Sequence, residues 1–107
     1  MINSTVGTSS ANSAKTTTIT MPSNKKRIFI RNLTLTTKGA DIAADVTIDI
    51  KDNGTTVWSA ALRSGKVFGG IWDFNKGLPI RNGDCTIVVA AGGAGVITVT
   101  SIIYEIL

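Results

Sequence analysis

The chain contains no histidine, one cysteine and two prolines in 107 residues. Without histidine it lacks the commonest general base and the commonest metal ligand. With Cys85 as its sole thiol it can form no intrachain disulfide, nor build a structural zinc site from its own residues. A lone cysteine fits a reducing cytosol, or a particle assembled in one. Charge is scarce too: 17% of the residues are charged, against ~25% in an average soluble domain. No apolar run approaches the roughly 18–20 residues of a membrane helix. The 43% hydrophobic content is therefore expected in a core or in interfaces. No basic stretch followed by an apolar block opens the chain, so no secretory signal is expected.

The charge that is present is uneven. The net charge is +4, yet residues 1–40 hold Lys15, Lys25, Lys26, Arg27, Arg31 and Lys38 with no acid at all. The seven acidic residues all lie beyond position 40. A basic N-terminal third suits an anionic partner surface, or a solvated edge that keeps the protein soluble.

β-branched residues dominate what remains, and short strands are the natural reading. Residues 1–14 (MINSTVGTSSANSA) carry two large apolar side chains besides Met1, Ile2 and Val6, and read as a flexible N-terminal arm. Residues 15–107 read as one domain with a single core. Lys15–Thr20 is a Thr-rich edge strand, and Met21–Asn24 a turn. In Lys25–Thr37 the parity of Ile28 and Ile30 differs from that of Leu33 and Leu35. A strand with one buried face cannot do this without an extra residue, which predicts a β-bulge near Arg31-Asn32.

Lys38–Ala44 is a loop, and Asp45–Lys51 alternates cleanly with Val46, Ile48 and Ile50 inward. Asp52-Asn53-Gly54 is a hairpin turn into Thr55–Leu62, where Trp58 is the anchor. Val67–Phe74 reads as two short strands broken at Gly69-Gly70. Asn75-Lys76-Gly77 reads as a turn and Leu78-Pro79-Ile80 as an extended edge segment. Asn82-Gly83-Asp84 turns into the buried strand Cys85–Ala91, and Gly92–Gly95 loops into the last strand.

That last strand, Val96–Leu107, is apolar on both faces: Val96, Ile102, Tyr104 and Ile106 on one, Ile97, Val99, Ile103 and Leu107 on the other. A two-layer β domain covers one face of each strand. The second face points to cover from another subunit. About eight strands and no amphipathic helix give an all-β, jelly-roll-like antiparallel sandwich.

Catalytic constellations are weak. Asp41 with Asp45, or Asp49 with Asp52, fit solvated strand or turn positions better than an acid–base pair. The segment Asp49–Gly54 lacks the ligand spacing of a calcium loop. Ser59, Ser64 and Ser101 have no histidine to activate them, and Cys85 opens a buried-looking strand. Gly92–Gly95 leads into a strand and so lacks the helix N-terminus of a phosphate loop. No catalytic, cofactor or metal residue is expected, and the chain does not read as an enzyme. Trp58, Trp72 and Tyr104 could form a platform for sugars or bases, but aromatics inside apolar strands fit a core or an interface better. Lys25-Lys26-Arg27 could meet phosphates, yet no aromatic is interleaved, and neither nucleic acid nor membrane is the leading partner.

Taken in order, the Thr-rich lead, the basic-flanked strand from Lys26 to Leu35, the Asp52-Asn53-Gly54 hairpin, the Gly-rich loop and the Ile97–Tyr104 rhythm have a counterpart. Over residues 15–107 the chain resembles the small jelly-roll decoration, or cement, proteins of tailed-bacteriophage heads. The resemblance implies a non-enzymatic virion protein, made in the host cytoplasm and commonly trimeric, that binds the major capsid protein at the capsid surface. Ile97, Val99, Ile103 and Leu107 are the expected oligomer interface, and Lys25, Lys26 and Arg27, with the arm, the expected docking elements. Two rival readings are a carbohydrate- or receptor-binding module of a virion fibre and a small shell or vertex protein.

Overall fold

The computed structural model describes residues 2–23, 27–65 and 69–107. Its eight strands are β1 (Ile2–Thr8), β2 (Lys15–Ile19), β3 (Ile28–Lys38), β4 (Val46–Asp52), β5 (Thr55–Leu62), β6 (Gly69–Ile80), β7 (Cys85–Val89) and β8 (Ile97–Ile106). They form two antiparallel four-stranded sheets, ordered β1-β8-β3-β6 and β2-β7-β4-β5. Every connection except the β4–β5 hairpin passes from one sheet to the other. This is the jelly-roll sandwich expected from the strand pattern.

The core lies between the sheets. Ile28, Ile30, Leu33, Leu35 and Ile102 face Val46, Ile48, Ile50, Ile87 and Val89, and all are buried. Both parities of β3 reach this core because the pairing shifts between Ile30 and Asn32 against β6 and β8 alike. The extra residue is Arg31, where the mixed parity places it. The β4–β5 turn has Asn53 at φ 49° and Gly54 at φ 88°, the left-handed pair that a two-residue hairpin loop requires.

Two segments depart from the sequence reading. Residues 2–8, read as part of a flexible arm, form β1 and pair with β8 from Ile2↔Glu105 to Thr8↔Val99. Main-chain pairing supplies what the polar side chains cannot. Ser9 and Asn12 continue the attachment, their N–H groups donating to the carbonyls of Thr98 and Val96, each at 2.9 Å. Gly7 makes the close approach possible, because a Cβ there would collide with Thr17 Oγ1 of β2.

The second departure is β6, which runs unbroken from Gly69 to Ile80 through the turn expected at Asn75-Lys76-Gly77. The first expected short strand, Val67-Phe68, lies outside the described residues, and so does one side of the break expected at Gly69-Gly70. Asn75-Lys76-Gly77 does not reverse the chain. Asp73 pairs with Asn32 and Leu78 with Ile30, so residues 74–77 bulge opposite Arg31. Gly77, at φ 88°, absorbs the bend.

Candidate assembly surface

Strand β8 is covered on one face only. Thr98, Thr100 and Ile102 are buried, and Tyr104 and Ile106 pack against the core. Ile97, Val99, Ser101, Ile103 and Glu105 alternate onto the opposite, outward face. Pairing places further rows beside them. Ile2, Glu105, Phe29 and Pro79 align across β1, β8, β3 and β6, as do Ser4, Ile103, Asn32 and Asp73, and then Val6, Ser101, Thr34 and Ile71.

The result is an outer sheet face on which apolar and small hydroxyl side chains mix. Ile71 is 73% exposed, Val6 61%, Ile2 60%, Leu107 56% and Ile103 40%. Ile97 and Val99 are half-buried. The fold therefore brings the four sequence-designated residues to one side of one sheet and adds Ile2, Val6 and Ile71 from other strands. Ile2 and Val6 were hidden from sequence reasoning because their segment was read as an arm. Ile71 was hidden because the sequence does not show that β6 joins β8 in one sheet through β3.

Among the described residues one ion pair crosses this face. Arg31, pushed out at the bulge, donates from Nε to Glu105 Oε1 at 2.7 Å, with Nη2 at 2.6 Å. Its guanidinium lies 5.8 Å from the centre of the Phe29 ring. Of the expected docking residues, Lys25 and Lys26 lie outside the described residues. Arg27 is exposed, and its carbonyl accepts the Leu107 N–H at 3.1 Å. Arg27 and the end of β8 thus meet at the same end of the sheet.

The other candidates have structural explanations. Asp45 pairs with Arg63 at 3.5 Å and accepts the Ser64 N–H, and Asp49 accepts the Ser59 hydroxyl. Asp52 is buried and accepts from the N–H groups of Arg81 and Asn82 and from Asn82 Nδ2. It ties the β4–β5 turn to the β6–β7 turn, a role that no local motif signals.

Cys85 is buried, and burial, with a smaller contribution from the Asp52 carboxylate, pushes its thiol up to about 12. A thiol held in that state is a poor nucleophile. Trp58 sets ring edges against ring faces with Trp72 at 5.4 Å and with Phe74 at 5.1 Å, between the edge strands β5 and β6. The three rings pack on the core rather than lying side by side as a platform. Among the described residues no pocket opens in the surface, and no group of three His, Cys, Asp or Glu could hold a metal ion. No helix among them is long and apolar enough to cross a membrane.

No protein-family model matches the chain, and no curated protein sequence does. Solved structures share its fold. A fucose-binding module of Streptococcus pneumoniae, SpX-3, is 16% identical, with 91% of this chain and 70% of that one covered and a TM-score of 0.52. Dimeric latent PorU from Porphyromonas gingivalis is 8% identical with a TM-score of 0.52, and the match covers 97% of this chain but 13% of PorU. The coat protein of tobacco streak virus aligns more loosely, at 12% identity and a TM-score of 0.44 over 97% of this chain and 85% of that one. For the first two the likeness is one of β-sandwich fold.

Proposed function

We propose that this chain is a structural virion protein that binds the outside of a phage capsid and stabilises it by bridging major-capsid subunits. The observation that carries this reading is the outer face of sheet β1-β8-β3-β6, an exposed, partly apolar surface on a small jelly roll. The sequence resemblance supplies the setting: a non-enzymatic decoration protein assembled with copies of itself, three in the commonest case.

Covering five side chains that are each more than a third exposed contributes on the order of 1–2 kcal/mol apiece before association costs. Ile97, Val99, Ile103 and Leu107, expected as an oligomer interface, lie on this face and are assigned to the capsid contact, and Arg27 is the described member of the basic docking segment. The arm no longer belongs to the account, because residues 2–8 are bound to their own sheet.

Quantifying the chain in purified phage heads tests the proposal. A decoration protein is present in proportion to the major capsid protein, and the double substitution I71E/I103E strips it from heads while the far-ultraviolet circular dichroism stays unchanged. Copy numbers as low as those of a tail fibre, or full occupancy by the double variant, would overturn it.

A further inference from the structure

The sheets end in four edge strands, and three of them carry devices that prevent pairing with another strand. β6 has Asp73, Lys76 and Pro79 and the bulge at residues 74–77. β5 is interrupted at Val57, where Ile50 pairs with Trp58 but Lys51 with Thr56. β2 is five residues long and begins with Lys15. β1 has none of these. Its seven residues run in unbroken register with β8, and they include no charge and no proline.

The free side of β1 follows from its bonds. The Ser9 N–H donates to Thr98 on β8, and alternate residues of an antiparallel strand send both main-chain groups to the same side. The N–H and C=O groups of Ile2, Ser4, Val6 and Thr8 therefore point to the open edge, where no strand stands among the described residues.

We infer that β1 is a self-pairing edge: two copies of this chain join antiparallel along Ile2–Thr8, merging their outer sheets into one of eight strands. A second copy fits this edge for two reasons. No charged side chain precedes Lys15 in the sequence, so two molecules of net charge +4 meet along a segment, Ile2–Thr8, that has no charged side chains. The segment is also self-complementary when reversed. A twofold axis at Thr5 sets Ile2 opposite the partner's Thr8, and Ser4 opposite the partner's Val6. Each apolar side chain then meets a small hydroxyl residue, and Ile2 lies diagonal to the partner's Val6, within reach across the pair.

The pairing gives the self-association in the proposed function a definite geometry and rests on that part of it; it does not depend on the capsid. An isologous contact closes at two copies, so the free protein is a dimer rather than the trimer that the family resemblance implies.

Light scattering on the purified chain at tens of micromolar, with three variants, tests the pairing. The expected mass is twice 11.2 kDa. S4P removes only an edge-facing donor, and V6K places an ammonium on each side of the axis; each halves the mass while the circular dichroism stays unchanged. Because an edge substitution can impair folding, a third variant, S4C/V6C, provides an independent readout. Opposed residues sit about 5.5 Å apart, within disulfide range, so mild oxidation yields a covalent dimer. Buried Cys85 does not compete. A monomeric wild type that S4C/V6C does not cross-link overturns the inference, as does an oligomer that survives both S4P and V6K. A head-binding defect in I71E/I103E with the dimer intact separates the capsid reading from this one.

Discussion

Single residues on the inner faces carry most of the unusual chemistry. Thr98 and Thr100 point into the core, and their hydroxyls find no hydrogen-bond partner there. A buried hydroxyl without a partner costs about 1–3 kcal/mol. Thr100→Val should therefore raise the melting temperature by roughly 4 °C, corresponding to about 1 kcal/mol, and a fall would show that the hydroxyl is bonded. Cys85 makes a second residue-scale prediction. Its thiol stays protonated in the fold up to about 12, whereas a thiol in the unfolded chain ionises near ~8.5. The stability from keeping it neutral is complete below the unfolded value and is lost as pH rises toward the folded one. Melting curves at increasing alkaline pH should fall more steeply for the wild type than for Cys85→Val; parallel slopes would remove Cys85 from the alkaline response.

At the scale of elements, β1 depends on what lies beneath it. Gly7 leaves room for Thr17, and a larger side chain must displace the Thr17 hydroxyl or move the strand away from β2. Gly7→Val is expected to cost about 1–3 kcal/mol. It should also raise hydrogen exchange across residues 2–8, whereas unchanged exchange would show that β1 tolerates the intrusion. The aromatic cluster joins the other side of the sandwich, where β5 and β6 meet through Trp58, Trp72 and Phe74. Trp58→Ala should destabilise by on the order of 2–3 kcal/mol, less than a fully buried tryptophan would cost. Denaturant titration measures the loss, and a negligible one would mean that the rings are incidental to the joint.

The whole molecule is a network of distant pairings. β1 finds β8 and β3 finds β6, so nearly every ladder closes a long loop. Such topologies fold in roughly milliseconds to seconds. Stopped-flow tryptophan fluorescence should place the main refolding phase in that range, and a microsecond phase carrying the full amplitude would contradict it.

What the sequence determined by itself was local. The clean alternation of Val46, Ile48 and Ile50, the Asp52-Asn53-Gly54 turn and the changed parity of Ile28/Ile30 against Leu33/Leu35 each encode their outcome within a few residues. Strand periodicity has a period of two, so a single extra residue is visible in the pattern. The doubly apolar character of Val96–Leu107 was legible for the same reason, as was the half of the outer face that it forms.

Tertiary structure alone decided the rest. The segment INSTVGT has little to bury, and it became a strand because β8 offered an open ladder and Gly7 could lie against Thr17. Asn75-Lys76-Gly77 has turn chemistry, and whether a chain reverses there or bulges depends on the partner strand, here β3. Ile2, Val6 and Ile71 joined Ile103 on one surface only when four strands distant in sequence were laid side by side. Side-chain patterning is written along the chain, whereas the edges and faces of a sheet exist only once strands have chosen their neighbours.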